Sequence, residues 1–312
     1  MNKRELVLSV LDKGKKQERI PAAFFLHFDE SHRRGRAAVD KHLEYFRHTG
    51  MDFVKIQYEN NFPVVPEIRK PEDWGKLPLY QKDFYEDQLS IVDGLVKAAK
   101  KDAVVVMTLY SPFMCAGHAS GGKITDHLKE NPEKAAKGIE IAAESLMIFV
   151  KECVKLGIDG FYHSTQGAET FRFSDMNIFN KYIKPSDLAL MKEINRTCVF
   201  NILHVCDYHG GYKDLTPFLE YPGHVVNSPM HFGSGNLSGK EISKLFGRPF
   251  MGGLERKGTI LSGSEAQIRK EVKDILADAP EKFILGADCT IPSEVNWDNL
   301  KTAIAAAHEY KR

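Results

Sequence analysis

The stretch Asn201-Ile-Leu-His-Val-Cys-Asp207 has the pattern of a buried β-strand that ends in two metal-binding side chains. Its apolar residues form a short continuous run, which is typical of a parallel strand covered on both faces. His204 and Cys206 are two residues apart, so their side chains point to the same face. A second apolar run ends in the same way, with Cys289 in Gly286-Ala-Asp-Cys-Thr290. Both stretches predict buried strands with polar residues at their ends.

Apolar runs of this kind recur along all 312 residues and alternate with helical patterns. The strand candidates are Pro21–Phe28, Asp52–Tyr58, Ala103–Tyr110, Gly157–Ser164, Cys198–Cys206, His224–His231, Pro249–Leu254 and Lys282–Cys289. The helix candidates are Asp40–His48, Tyr85–Lys100, Pro132–Leu156, Ser174–Asn195, Leu215–Tyr221, Gly239–Phe246, Gly263–Ala277 and Trp297–Arg312. This alternation predicts an α/β fold with one domain, residues 1–312, in the form of a (β/α)8 TIM barrel. Met1–Leu11 fits an amphipathic helix and would form an N-terminal helical extension.

A doubly wound open sheet is the main alternative to the barrel. No Gly-x-Gly-x-x-Gly motif follows the first strand, so the sequence does not support a dinucleotide-binding fold of that kind. Ser111–Gly122, after the third strand, is rich in glycine and is expected to form a mobile loop over a ligand.

Charge and composition exclude several classes of partner. The formal net charge is +1, which gives no electrostatic argument for nucleic acid or a membrane surface. No apolar run approaches the roughly 18 residues needed to span a bilayer. Five dispersed cysteines, an odd number, argue against a disulfide framework and favour a reducing, cytoplasmic location.

His204, Cys206 and Cys289 together suit Zn²⁺, which takes thiolate and imidazole ligands in tetrahedral geometry. Inward-pointing side chains at the C-terminal ends of barrel strands can converge even from strands that are not neighbours. Three protein ligands would leave a fourth position open, as in catalytic zinc sites. The alternative is that all three are ordinary core residues, because free cysteine is among the most buried residue types.

His204-Val-Cys206 with Cys289 far downstream resembles the His-x-Cys…Cys zinc signature of cobamide-dependent thiol methyltransferases in the uroporphyrinogen decarboxylase superfamily. The N-terminal stretch Lys3-Arg-Glu-Leu-Val-Leu…Arg19-Ile-Pro21 and the C-terminal stretch Cys289-Thr-Ile-Pro-Ser…Asn299-Leu-Lys are similar to the two ends of that family. The resemblance implies a (β/α)8 barrel that binds zinc through these three residues. It also implies methyl transfer between a methylcobamide, carried on a corrinoid partner protein, and a small-molecule thiol or related acceptor. Cobalamin-independent methionine synthase has a similar layout, and its zinc binds the thiol that accepts the methyl group.

The ligand set is suited to thiol activation. A free thiol has a pKa near 8.5 and is mostly protonated at neutral pH, whereas the thiolate is the nucleophile. Two cysteinates cancel the charge of Zn²⁺ and a neutral imidazole adds none, so a substrate thiolate in the fourth position would keep its electron density.

The chain also departs from the pattern of the family. Asp207 stands where family members commonly have glycine, and no carboxylate lies in Val225–His231, where the methionine synthases have an acidic ligand. The decarboxylases have an Arg-rich tetrapyrrole-binding signature near the first strand, whereas this chain has Phe25–Glu30. The alternatives left open are a metal-free decarboxylase of the same superfamily, a non-catalytic barrel that binds a corrinoid or small ligand, and zinc-assisted hydrolysis.

Other polar residues at predicted strand ends are candidates for substrate binding, although the sequence assigns none of them a catalytic role. They are His27, Asp29, His163, Gln166, His231 and Glu255. For His27 and Asp29 the alternative interpretation is a hydrogen-bonded loop start.

Overall fold

Seven parallel strands form one curled sheet in the computed structural model, which describes residues 2–311. The strand order is β1-β2-β3-β4-β5-β8-β9. These strands are β1 (Phe53–Ile56), β2 (Val104–Tyr110), β3 (Gly160–Thr165), β4 (Ile202–Val205), β5 (Val225–Asn227), β8 (Phe250–Leu254) and β9 (Phe283–Ala287). The two short strands β6 (His231–Phe232) and β7 (Gly235–Asn236) form a separate antiparallel hairpin.

The segment around Ala22 closes the sheet between its two edge strands. Leu285 in β9 donates its N–H to the carbonyl of Pro21 at 2.9 Å, and Ala23 donates to the carbonyl of Leu285 at 3.0 Å. On the other side, Asp52, next to β1, donates to the carbonyl of Ala22 at 2.9 Å. The result is a TIM-like α/β barrel in which the eighth position is a single β-bridge.

The helices form a layer around the sheet. They are α1 (Lys3–Ser9), α2 (Gly35–Thr49), α3 (Glu86–Ala99), α4 (Pro112–Ala119), α5 (Ile124–Glu130), α6 (Pro132–Lys155), α7 (Met176–Ile178), α8 (Lys184–Thr197), α9 (Gly239–Phe246), α10 (Thr259–Ser262), α11 (Glu265–Ala277) and α12 (Trp297–Glu309). Six helices contact one another in a ring around most of the barrel, in the order α8, α6, α3, α2, α12, α11. Within residues 2–311, no helix combines the length and apolar character needed to cross a membrane.

The α/β barrel and its N-terminal helix are confirmed, but several element boundaries were predicted wrongly. Pro21–Phe28 forms one bridge rather than a regular strand, and His224–His231 divides into β5 and the start of the hairpin. Ser174–Asn195 contains a short π-helix, Phe179–Ile183, between α7 and α8. Leu215–Tyr221 contains only a 3₁₀ turn. Met1 of the first predicted helix and Arg312 of the last lie outside the described residues.

The glycine-rich segment after β2 was also predicted wrongly, because it contains helix α4. Ser111 caps this helix by accepting a hydrogen bond from the N–H of Met114 at 3.2 Å, and Pro112 occupies the first helical position. Both are standard helix-start signals. The two adjacent glycines, Gly121 and Gly122, follow the helix with positive φ.

Aromatic side chains fill the interior of the barrel below the site. The rings of Phe25 and Phe53 meet edge to face with centroids 5.5 Å apart, and Phe53 meets Phe200 at 5.9 Å. Gly160 begins β3 where that strand comes very close to the next, since a Cβ there would lie 1.6 Å from the carbonyl oxygen of Phe200. This close approach requires glycine at position 160.

Candidate metal centre

His204 and Cys206 lie at the C-terminal end of β4 and face the interior of the barrel. Their exposed fractions are only 2% and 5%. The backbone of Cys206 is fixed on both sides: its N–H donates to the carbonyl of Thr165 at 3.1 Å, and its carbonyl accepts from the hydroxyl of Tyr212 at 2.7 Å. The strand end is therefore held rigidly where the two side chains project.

Cys289 reaches the same place from β9, two residues after that strand ends. Its Sγ lies 3.9 Å from Sγ of Cys206 and 3.5 Å from Nε2 of His204. The N–H of Cys289 donates to Oδ1 of Asp288 at 2.9 Å, which holds the turn. All three candidate ligand atoms lie within 4.8 Å of one another.

The two separations that involve the sulfur of Cys289 match a tetrahedral zinc site. Bond lengths of about 2.3 Å to sulfur and 2.0–2.1 Å to nitrogen place two sulfur ligands about 3.8 Å apart, and a sulfur and a nitrogen about 3.5 Å apart. The separation of the Cys206 and Cys289 sulfurs, 3.9 Å, is also far longer than a disulfide bond of about 2.05 Å. The donor set therefore fits Zn²⁺ in both spacing and chemical softness.

The thiols of Cys206 and Cys289 lie within hydrogen-bond distance of each other, with their sulfurs 3.9 Å apart. Hydrogen bonding from Cys289 is the main reason that the pKa of the Cys206 thiol lies well below its ordinary value. The same hydrogen bond, together with burial, raises the pKa of Cys289 well above the ordinary value. One thiolate is thus accommodated readily, and binding of a divalent metal must displace the second proton.

A cavity of about 1050 Å³ opens in front of these three residues at the C-terminal ends of the strands. Helix α4 and the segments that follow β3, β4 and β9 contribute to its walls. Its other polar lining residues include His27, Glu59, Thr108, Gln166, Arg172 and Arg256. The candidate ligands therefore lie in the wall of a pocket of substrate size.

The model of the family described as Uroporphyrinogen decarboxylase (URO-D) matches residues 43–310, which is most of the chain. This chain belongs to the uroporphyrinogen decarboxylase family. No curated protein gives a significant sequence match.

Solved structures share the fold of this URO-D family member. A methyltransferase from Methanosarcina mazei superposes with a TM-score of 0.79 at 16% identity, with 99% of each chain covered. A B12-independent methionine synthase from Shewanella sp. W3-18-1 gives a TM-score of 0.58 at 13% identity, covering 93% of this chain and 91% of that one. At these sequence identities, the similarity shows a shared fold and nothing further.

Two of the residues predicted to bind substrate do line the cavity of this URO-D family member. His27 faces it with Nδ1 2.7 Å from Oε1 of Glu59, and Gln166 lies beside Cys206. Asp29 does not, because the chain turns into a 3₁₀ helix at Glu30–His32. Asp29 faces solvent instead, where hydrogen bonds from Ser31 and then His32 lower its pKa to about 2.

His163, His231 and Glu255 were also predicted at the pocket, and the structure places all three elsewhere. His163 is fully buried on the opposite face of β3, because side chains alternate along a strand. His231 and Glu255 bind each other at 2.9 Å on the exposed rim. Glu255 directly follows β8 as predicted, whereas His231 lies in the hairpin rather than at the end of a barrel strand.

Lys55 is a cavity residue that the sequence interpretation missed. It lies in β1 with 5% exposure, and its Nζ donates to Oε1 of Gln57 at 2.7 Å. The same nitrogen lies 4.7 Å from the ring centroids of both Phe25 and Tyr162. Burial lowers the pKa of Lys55 to about 7, and the nearby Cys289 opposes that shift. A lone lysine inside the apolar strand Phe53–Ile56 was an available signal.

Asp187 of α8 lies behind β3, on the side away from the cavity. Its Oδ2 accepts hydrogen bonds from the hydroxyls of Thr165 at 2.6 Å and Tyr221 at 2.9 Å. Burial raises the pKa of Asp187 to about 7. Its Oδ1 lies 3.9 Å from Nε2 of His163, whose pKa burial lowers to about 3. This buried group supports the end of β3 from outside the barrel.

Proposed function

We propose that this chain is a zinc-dependent methyltransferase that moves a methyl group between a corrinoid carrier and a thiol-type acceptor. His204, Cys206 and Cys289 would hold the metal. The observation that carries the proposal is the convergence of one imidazole and two thiols, all buried, within 4.8 Å in the wall of a large cavity. Two residues from one strand and one from another, more than 80 positions away, supply the three ligands.

Zn²⁺ bound there would lower the pKa of an acceptor thiol at the open fourth position and hold it as the nucleophilic thiolate. The chain's own residues set the charge of that position. As cysteinates, Cys206 and Cys289 would supply two negative charges, and His204 would bind the metal as a neutral imidazole. Burial of all three limits competition from water for the ligand atoms.

The size of the cavity supports a reaction with two reactants. Pockets for drug-sized ligands typically measure about 300–1,000 Å³, and this one, at about 1050 Å³, exceeds what a small thiol requires. The remaining space would accommodate the reactive end of a methyl carrier on a partner protein. His27 and Arg172 would bind polar groups of the reactants there.

The comparisons support methyl transfer without specifying the metal or the methyl carrier. The chain belongs to the uroporphyrinogen decarboxylase family and shares the fold of a methyltransferase from Methanosarcina mazei. The choice of zinc and of a corrinoid carrier follows from the resemblance of His204-x-Cys206…Cys289 to the thiol methyltransferase signature. A cytoplasmic location and a corrinoid partner protein stay predictions from the same sequence.

Metal content tests the ligand assignment directly. We expect purified protein to contain about one zinc per chain, and Cys206→Ser combined with Cys289→Ser to contain almost none. Cys198→Ser is the matched control, because Cys198 is a buried cysteine that belongs to the helix–strand junction before β4 rather than to the cavity. Zinc retained by the double variant would refute the assignment.

The reaction is tested by zinc-edge X-ray absorption with added thiols and by methyl transfer from methylcobalamin. One thiol should add a sulfur neighbour to the metal and should also become methylated. Decarboxylation of a porphyrinogen that survives complete removal of zinc would instead support the metal-free alternative.

A further inference from the structure

The side-chain amide of Gln166 lies between the sulfur of Cys206 and the guanidinium of Arg172. Its Nε2 donates to Sγ of Cys206 at 3.4 Å, and its Oε1 accepts from Nη2 of Arg172 at 3.3 Å. Gln166 is 5% exposed, so water does not replace these partners easily. The amide forms a link from a cavity arginine to a candidate metal ligand.

Chemistry fixes the direction of this amide. Arginine has only donors, so the oxygen of Gln166 must face Arg172. The nitrogen consequently faces Cys206, whose sulfur accepts a hydrogen bond when it is a thiolate. A rotation of the amide by 180° would place two donors against each other and two acceptors against each other.

Arg172 is itself held in place. Its Nε donates to Oε2 of Glu169 at 2.8 Å, and Nη1 donates to Oγ1 of Thr125 at 3.3 Å. The guanidinium carbon lies 5.2 Å from the ring centroid of Phe113 and 5.1 Å from that of Phe171. Glu169 is 1% exposed, so the ion pair is largely shielded from solvent. The orientation of Gln166 therefore rests on a rigid neighbour.

We infer that Gln166 is a positioning residue of the metal centre, oriented by Arg172, rather than a substrate-binding residue; this inference rests on the proposed function. Its N–H fixes the side chain of Cys206 and withdraws electron density from that thiolate. Sγ of Cys289 has hydrogen-bond contacts only to Cys206 and His204 among residues 2–311. The two cysteinates are therefore unequal, and Cys289 is the stronger electron donor to the metal.

Two substitutions remove the N–H donor. Gln166→Leu removes the whole amide, and Gln166→Glu keeps the length while presenting only acceptors to the sulfur. We expect the zinc Kd, measured by competition with a chelator, to rise about 10-fold or more in both, as is typical when a residue that supports a ligand is lost. With Co²⁺ in place of zinc, the sulfur-to-cobalt charge-transfer band should move to longer wavelength, because the sulfur regains electron density.

Arg172→Met should move the same band in the same direction by a smaller amount, because the amide becomes free to rotate. Ser164→Ala is the matched control, since Ser164 lines the cavity from the same face of β3 two residues before Gln166. Its Kd and spectrum should stay at the wild-type values.

The outcomes separate the two proposals. Wild-type protein that binds no metal refutes the proposed function. Wild-type protein with one metal, together with Gln166 variants whose Kd and band match the wild type, refutes the role of Gln166 and leaves the proposed function standing.

Discussion

The phenol ring of Tyr162 lies against the imidazole of His204, with ring centroids 4.7 Å apart and ring planes inclined by 30°. Nδ1 of His204 is buried and has no hydrogen-bond partner among residues 2–311. Metal-binding histidines usually donate this second N–H to a carboxylate or carbonyl. Here an aromatic contact orients the ring instead.

Replacing Tyr162 with leucine should therefore weaken zinc binding about 10-fold, because the imidazole loses the surface that orients it. Tyr162→Phe keeps the ring and should bind zinc with nearly wild-type affinity. It should, however, lower the free energy of unfolding by about 1–3 kcal/mol, because Oδ1 of Asn227 loses the buried hydroxyl donor. Chelator competition and urea denaturation measure the two effects. Equal zinc affinity in the leucine variant would contradict the stacking argument.

Asp187 should make the protein less stable as the pH rises. Its pKa in the folded state is about 7, against an ordinary value of 3.8, so the folded state binds this proton more tightly than the unfolded state. Its contribution is fully favourable below pH 3.8 and is lost as the pH rises toward 7. Asp187→Asn removes the titration and should gain stability over the wild type, by about 3 kcal/mol more at pH 8 than at pH 5.

Denaturation at both pH values measures the Asp187 effect. Asp274→Asn is the control, because Asp274 is an exposed residue paired with Lys270 on the surface of α11. A pH-independent difference between Asp187→Asn and the wild type would show that the carboxyl is ionised in the folded protein.

Arg4 connects the N-terminal helix to the barrel through Asp159. The two nitrogens of its guanidinium donate to the two carboxylate oxygens at 2.6 and 2.8 Å, and Asp159 is 2% exposed. Arg4→Met should lower the free energy of unfolding by about 3 kcal/mol, the lower end for a broken buried pair, because Lys100 also lies 3.6 Å from this carboxylate. Arg36→Met, which breaks an exposed pair, should leave the free energy of unfolding essentially unchanged.

Gly160 should not tolerate any side chain. An added Cβ would overlap the carbonyl oxygen of Phe200, which belongs to the backbone and cannot move without separating β3 from β4. We expect Gly160→Ala to lower the free energy of unfolding by more than about 3 kcal/mol, or to give insoluble protein. Gly117→Ala in α4 meets only ordinary contact at 3.8 Å and should be neutral or stabilising by up to about 1 kcal/mol. Calorimetry compares the two variants.

The sequence was sufficient to predict the barrel and the meeting of the three candidate ligands. Continuous apolar runs mark parallel strands, and the period of two places His204 and Cys206 on one face. The barrel then brings Cys289 to the same end. Their role as zinc ligands stays a prediction.

The directions of individual side chains, and contacts between residues far apart in the sequence, were harder to predict. His163 and Gln166 were grouped because both end the same strand, yet an odd spacing of three residues places them on opposite faces. The contact of Gln166 with Cys206 joins residues 40 positions apart, and no local pattern encodes it. The segment of α4 was predicted as a loop because of its glycines, although Ser111 and Pro112 are a helix-start signal.

The buried rings of Phe25, Phe53 and Phe200 determine the order in which reactants would bind in the proposed reaction. Because these rings fill the barrel below the site, the cavity opens toward the C-terminal ends of the strands, and both reactants must use that mouth. If the proposed function holds, the small acceptor would have to enter before a carrier protein covers the opening, and the methylated product would leave only after the carrier departs. Excess carrier protein would then slow turnover by delaying product release.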